Sequence, residues 1–279
     1  MIRLTGLNFQ YKNAPGFALT DVNLSIGPGE FVGIIGPSGA GKTTLTYVLS
    51  GVVPHYYSGD FYGHAEVGGL DTIDAGPAKL SQVVGSVFQD IDGQMVASIV
   101  EDELLFGLEN FGVPRGEIEG RLTGALETMG ISTLRHRAIA SLSGGQKQKV
   151  AIAAIVALKP SVLVLDEPTG ELDPRSSVMV FEMLKMLNER FGMTIVVVEQ
   201  KIMLLCEYAK RLTVMDGGRV ILDGAVRSVI QNIEALTGAG VNAPRVASLA
   251  HELKVRGLYG GALPVNVAEA ERMVREVLK

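Results

Sequence analysis

The chain has 279 residues, 47% hydrophobic and 20% charged, with a formal net charge of −5 and no basic block. That is enough to bury a substantial core in one large or two to three smaller domains, and the acidic balance argues against a nucleic-acid backbone as partner. The single cysteine, Cys206, excludes an internal disulfide and fits a reducing cytoplasm. No signal-type apolar segment opens the chain, and its longest apolar runs, such as Val150 to Leu158, are too short to span a bilayer.

Residues 2–9 and 19–26 read as short strands joined by a loop containing Pro15-Gly16. Tyr11 falls in that loop among polar neighbours. An exposed aromatic there could stack a nucleobase, or equally cap the small sheet. A buried parallel strand is expected over Phe31 to Ile35. It runs into Gly36-Pro37-Ser38-Gly39-Ala40-Gly41, and Lys42-Thr43-Thr44 opens an amphipathic helix with Leu45, Val48 and Leu49 on one side.

This strand–loop–helix carries G-x-x-x-x-G-K-T, the phosphate-binding loop. A triphosphate needs many donors close to its oxygens, and side chains at Gly36, Gly39 and Gly41 would keep backbone N–H groups away from it. The helix start adds free N–H groups and the positive end of its dipole. Lys42 supplies a point charge for the β- and γ-phosphates, and the Thr43 hydroxyl is a hard oxygen ligand suited to Mg2+.

A polar, turn-rich stretch follows from Pro54 to Gly63, then short strands near Ala65 to Val67 and Val83 to Phe88, the latter ending at Gln89. From Asp90 to Lys159 the pattern turns helical. An acidic-fronted helix spans about 99–109, and a second runs from Glu117 to Met129 with Gly130 as its stop. Leu142-Ser143-Gly144-Gly145-Gln146 begins a third helix. Ser143 is its N-cap, and the two glycines make another anion-accepting tip, although Ser-Gly-Gly alone is common before helices.

Val162 to Leu165 forms a buried strand delivering Asp166 and Glu167 at its carboxyl end, where α/β sheets bind ligands. Asp166 suits Mg2+ held through water, and Glu167 suits polarising an attacking water. A turn, a helix over about 175–189, a strand over Thr194 to Val198, a helix near 202–208 and a hairpin around Asp216-Gly217-Gly218 complete an α/β pattern. Three helical segments after Gly224 form an extension.

Taken together, Tyr11, GPSGAGKTT at 36–44, Gln89, LSGGQ at 142–146, VLVLDEPTG at 162–170 and ELDP at 171–174 resemble the nucleotide-binding subunit of the ABC superfamily over residues 2–224. The fold implied is α/β: a P-loop NTPase core with a parallel sheet, a small antiparallel β subdomain, a helical subdomain inserted over about 90–159, and a helical C-terminal extension over 225–279. The resemblance implies that Tyr11 stacks adenine. Gly36, Ser38, Gly39, Ala40, Gly41, Lys42, Thr43 and Thr44 hold the phosphates of ATP. Ser143, Gly144, Gly145 and Gln146 cap the γ-phosphate bound on a second chain. Mg2+ is met by Thr43, Gln89 and Asp166. Glu167 is the general base, assisted by Gln89 and by the residue at 200, and Asp173 crosses the dimer interface.

One position departs from the family. Gln200 stands where a histidine usually contacts the γ-phosphate, and an amide can donate a hydrogen bond but cannot take a proton. Slow hydrolysis is therefore expected at the site built on this chain's phosphate loop. That favours a heterodimer with a complete paralogue, a homodimer remaining open.

The segments VFQDIDGQ at 87–94 and IVEDE at 99–103 through FGLEN at 106–110, with the helical tail, resemble energy-coupling factor ATPases of cobalt and vitamin importers. This implies an integral membrane coupling subunit, facing Gln94 and the helix at 99–109, and a separate substrate-binding membrane subunit, with the chain peripheral on the cytoplasmic face of the cell membrane. The alternatives are the ATPase of another ABC transporter class and a weakly hydrolysing ATP-binding half of a heterodimer. A nucleic-acid-acting relative would carry a tandem cassette, coiled-coil insertion or basic linker, none of which the sequence shows.

Overall fold

The computed structural model describes residues 1–278. The chain begins with strands β1 (Ile2–Tyr11), β2 (Leu19–Ile26) and β3 (Phe31–Ile35), then helix α1 (Lys42–Leu49). Strands β4 (Gly59–Val67) and β5 (Leu70–Asp71), helix α2 (Pro77–Leu80) and strand β6 (Val84–Val87) follow. Helices α3 (Ile91–Gln94), α4 (Val100–Asn110), α5 (Arg115–Thr128) and α6 (Gly144–Ala157) come next. The α/β alternation resumes with β7 (Val162–Asp166), α7 (Pro174–Phe191), β8 (Thr194–Val198), α8 (Ile202–Tyr208), β9 (Arg211–Asp216) and β10 (Arg219–Ala225). Helices α9 (Val226–Ile230), α10 (Ile233–Gly238), α11 (Arg245–Val255) and α12 (Val267–Val277) end it.

Two sheets result. β2-β1-β4-β5 is antiparallel; β10-β9-β3-β8-β7-β6 is parallel except for the β9–β10 hairpin. Every residue of β3, β7 and β8 is buried, which explains their unbroken apolar runs: both faces of these central strands are covered. Alternation along them sorts the side chains into two cores. Val32, Ile34, Val164 and Val196 pack with α1 and the antiparallel sheet. Ile35, Leu163, Leu165 and Ile195 pack with the helices on the opposite face. α7 presents Val180, Phe181, Leu184 and Leu187 to that second core at helical spacing, each stabilising by about 2 kcal/mol through burial.

The second core is continuous. It joins Leu104, Leu122 and Val150 of α4, α5 and α6 to the sheet, and takes in Leu236, Ala250 and Met273 of the C-terminal helices, with Leu263 from the link between α11 and α12. Both helical additions thus rest on the core that also anchors the strand ends.

Three boundaries differ from the sequence reading. β1 continues to Tyr11, and β4 begins at Gly59 inside the stretch read as turn-rich. The cause is non-local: β1 pairs Gln10 with Asp60 and Tyr11 with Gly59, and ladder bonds form however polar the outward-facing residues are. Gly59 is required there, because a Cβ would lie 2.2 Å from the Gln10 carbonyl oxygen. The end hairpin likewise carries β10 to Ala225.

Candidate functional site

The loop between β3 and α1 is shaped by what cannot fit. A Cβ on Gly36 would sit 2.2 Å from the Met215 carbonyl oxygen, and one on Gly41 2.5 Å from that of Ala18. Gly41 also holds φ at 91°, a left-handed conformation at the N-cap of α1. No side chain caps that helix, so its first N–H groups face the loop's interior. Lys42 is 7% exposed, and its ammonium donates to the carbonyls of Gly36 and Pro37, each at 2.8 Å. These bonds curl the loop around the lysine. Burial pulls the Lys42 pKa below its ordinary value, while Glu167 and Asp166 push it back up.

A cleft of about 350 Å³ opens on this loop, bounded by Ser38 through Thr44, Ala18, Gln89, Glu167 and Gln200. It adjoins a larger cleft of about 810 Å³ that shares Thr43, Gln89, Glu167 and Gln200 with it. Within the loop the residues divide. Ser38, Gly39 and Thr43 are exposed, while the Ala40 side chain is packed in the core. The Thr44 hydroxyl is already bonded to the Tyr11 hydroxyl at 3.1 Å. Ala40 and Thr44 can therefore meet an anion only through their backbone N–H groups.

The carboxyl end of β7 brings the two acids beside the loop. Asp166 is 2% exposed; its Oδ2 accepts from the Thr46 hydroxyl at 3.3 Å, and its Oδ1 has no hydrogen-bond partner. Burial raises its pKa. The nearby Thr43 hydroxyl, the hydrogen bond from Thr46 and the charge of Lys42 lower it, and the Glu167 charge adds to the rise. An orphaned buried carboxylate oxygen next to a threonine hydroxyl and an exposed glutamine amide is a hard-oxygen set that fits Mg2+ retaining several of its waters. Among the described residues no group of three or more His, Cys, Asp or Glu side chains has the arrangement to hold a metal ion.

Glu167 sits at φ 49°, a left-handed conformation that a non-glycine residue adopts only where its surroundings impose it. Its N–H is held by the Val198 carbonyl at 2.9 Å, and its carboxylate accepts from Gln200 Nε2 at 2.7 Å and from Gln89 Nε2 at 3.5 Å. Gln89, Glu167 and Gln200, drawn from the ends of β6, β7 and β8, thus meet around one carboxylate.

Gly144 opens α6 in a different manner. Ser143 is the N-cap, and Gln146 closes a capping box: Gln146 N donates to Ser143 Oγ at 3.4 Å, and Ser143 N donates to Gln146 Oε1 at 3.0 Å. Ser143, Gly145 and Gln146 border a separate cleft of about 280 Å³ that shares no residue with the phosphate-loop cleft. Gly144 alone of this tip borders the larger cleft that contains Thr43, Glu167 and Gln200.

Two sequence expectations change. Tyr11 is not an exposed loop residue: it ends β1, half-buried, edge-on to Phe9 with ring centroids 4.8 Å apart, and burial raises its pKa. Pairing with β4 draws it onto the sheet. Gln94 does not present a free amide. It accepts from Phe88 N at 3.1 Å and donates to the Ser86 carbonyl at 2.9 Å, clamping the turn after β6. Glu103 in the acidic start of α4 is likewise buried, accepting from the N–H groups of Val96 and Ala97. Asp173 caps α7 through the N–H groups of Arg175 and Ser176 and also accepts from the Ser176 hydroxyl; that hydroxyl first, and then the N–H groups, hold its pKa below its ordinary value.

Sequence reasoning passed over Thr46, Thr169, Glu199 and Lys201. A charged pair directly after an all-apolar strand was the available signal for Glu199 and Lys201; the two threonines carried none.

Residues 19–170 match the family model described as ABC transporter. A putative ABC transporter ATP-binding protein of Pyrococcus abyssi is 40% identical over 279 residues, spanning 100% of this chain and 98% of its own. The energy-coupling factor transporter ATP-binding protein EcfA1 of Caldanaerobacter subterraneus is 37% identical, spanning 100% and 99%. The solved structure of cbiO1 from Clostridium perfringens, part of the ABC transporter complex cbiONQ, superposes with a TM-score of 0.75 at 32% identity, over 90% of this chain and 98% of that one.

Proposed function

The chain belongs to the ABC transporter family of ATP-binding proteins and is an ATPase, and from that premise we propose that it powers an energy-coupling factor importer of a vitamin or transition-metal ion. Members of the family pair and work with membrane subunits. The importer type is supported by the similarity to EcfA1 and to cbiO1 over nearly the whole chain, the C-terminal helices included.

The observation that carries the catalytic reading is the convergence of Lys42, Asp166, Glu167, Gln89 and Gln200 on adjoining clefts. The phosphates of ATP are received by the N–H groups of the loop and α1, with Lys42 bridging the β- and γ-oxygens. Mg2+, when bound, neutralises charge on the phosphate oxygens; Thr43, Asp166 and Gln89 are the residues that hold it. Glu167 orients the attacking water and takes its proton, and Gln200 and Gln89 fix the direction of that carboxylate. Gln200 donates one hydrogen bond and carries no proton to give. Base stacking by Tyr11 would use the part of its ring that Phe9 and Tyr57 leave uncovered.

A complete site needs a second chain. Ser143, Gly145 and Gln146 line none of the cleft on their own chain's phosphate loop, and in this reading they cap a nucleotide bound on a partner. ATP then joins two chains, and loss of the γ-phosphate releases them. With Gln200 in place of histidine, a paralogue bearing the complete set is the favoured partner. Membrane docking has a candidate surface in the groove of about 310 Å³ bordered by Gln94, Val96, Phe106 and Phe111, with Phe106 half-exposed. The chain works there as a peripheral subunit on the cytoplasmic face of the membrane.

The test is copurification. A tagged chain expressed with its neighbouring genes is expected to bring down an integral membrane subunit and a second cassette, and to hydrolyse ATP faster with that cassette than alone. Recovery without a membrane subunit sinks the transport reading. A second reading, a weakly hydrolysing regulatory half, is favoured by Gln200 alone. It predicts no turnover when the partner's own acid at the strand end is removed.

A further inference from the structure

The turn joining β8 to α8, Glu199-Gln200-Lys201, does more than present Gln200. Glu199 is 1% exposed, and its carboxylate is fully engaged inside the protein. Oε1 accepts from the N–H groups of Gln200 at 2.9 Å and Lys201 at 3.2 Å, and Oε2 accepts from the Thr169 hydroxyl at 2.5 Å. The backbone of the turn is thereby bound to the residue two places after Glu167.

Lys201 completes the junction from the other side. Its ammonium has three N–H donors and no acceptor. All three are used: the Thr169 carbonyl at 2.6 Å, the Leu172 carbonyl at 3.1 Å and the Ser177 hydroxyl at 2.9 Å. A lysine serving only solubility would leave its charge in water. Here the charge is spent on three acceptors of one segment, residues 169–177. That segment carries Asp173, and its far edge lies under the α6 tip. A Cβ on Gly144 would stand 3.3 Å from Leu172 Cδ2, and one on Gly145 3.1 Å from Ser176.

We propose that Lys201 is a positioning residue for hydrolysis: its ammonium ties the 169–177 segment to the turn bearing Gln200, so that contact at the α6 tip sets the placement of Gln200 on Glu167. The path is short and continuous: tip, Leu172 and Ser176, Lys201 and Glu199, Gln200, Glu167. It rests on the proposed reading of the tip as the cap for a partner's nucleotide. Each chain would then sense, at its own attacking-water site, whether its tip has closed on the other.

The experiment uses the full-length chain paired with a cassette partner whose own strand-end acid is replaced by glutamine, so that turnover reports the site built on this chain. Lys201→Met is expected to lower kcat by about tenfold to a hundredfold, the range for misplacing a reacting group by about 1 Å, with the KM for ATP within twofold of wild type. Lys201→Arg keeps the charge and stem, but its planar fork does not match three converging acceptors; it is expected to restore the melting temperature without restoring kcat. In the chain without nucleotide, Lys201→Met is expected to speed amide hydrogen exchange at Gly170 and Leu172 by about tenfold. Unchanged exchange there overturns the tie. Full rescue of kcat by Lys201→Arg, or a kcat for Lys201→Met within twofold of wild type, overturns the positioning role. The exchange arm reads the tie even where the paired wild-type chain shows no turnover, a result that would defeat the proposed function instead.

Discussion

The two helix starts proposed to receive phosphate, α1 at Gly41 and α6 at Ser143, are built in opposite ways. α1 is left bare: a left-handed glycine, no side-chain cap, and a buried lysine that curls the loop with two carbonyl bonds. α6 caps itself, with Ser143 and Gln146 occupying each other's backbone groups. The bare start is ready for a ligand from its own chain, whereas the capped start is stable alone and must exchange internal bonds for those of an incoming phosphate. The difference teaches which half of the site binds first. Nucleotide should load on the phosphate loop, and the α6 tip should engage only when a second chain supplies it.

Five substitutions break or sharpen that contrast. The largest effect is expected from Glu167→Gln, which leaves both helix starts intact and removes the base. kcat should fall about a thousandfold while ATP-driven pairing persists and lengthens, measured by steady-state turnover and size-exclusion chromatography. Lys42→Ala strikes the bare start and should weaken ATP binding about a hundredfold by calorimetry, since charge-assisted bonds to phosphate are lost. Ser143→Arg strikes the capped start. ATP affinity of the single chain should stay within twofold, while nucleotide-driven pairing weakens by about thirtyfold, about 2 kcal/mol. If the two affinities move together, the separation of roles is wrong.

Smaller effects follow. Gln200→His supplies a group that can carry a proton beside Glu167 and should raise kcat by about fivefold with KM unchanged. An equal rate in both forms would mean that the amide already suffices. Gln146→Ala opens the capping box and should cost about 1 kcal/mol of stability by denaturant unfolding, with no change in ATP binding by the isolated chain.

Much of the fold was legible because its signals are local. The runs at 31–35, 162–165 and 195–198 carry no polar side chain, since each strand is covered on both faces. The glycines of the phosphate loop stand where backbone must approach backbone, and Gly36 and Gly41 bear that out by distance. What failed was non-local. The start of β4 at Gly59 is written in its pairing with β1, not in its own residues. Tyr11 looked exposed because its sequence neighbours are polar, while its spatial neighbours Phe9, Tyr57 and Thr44 cover it. Gln94 and Glu103 looked like surface groups, yet Gln94 satisfies backbone at the end of β6 and Glu103 satisfies the backbone of the link between α3 and α4.

The sequence by itself determined the phosphate loop, the paired acids and the Ser-Gly-Gly helix tip, because each needs a fixed order of residues within a few positions of chain. Only the tertiary structure decided how those pieces are aimed. It gathered Gln89 and Gln200 on the Glu167 carboxylate, placed Ser143, Gly145 and Gln146 on a cleft apart from the one on the phosphate loop, and bound Lys201 and Glu199 to the segment from Thr169 to Ser177. Those arrangements depend on which strand ends the parallel sheet sets side by side, and strand order is fixed by burial across the whole core rather than by any stretch of neighbouring residues.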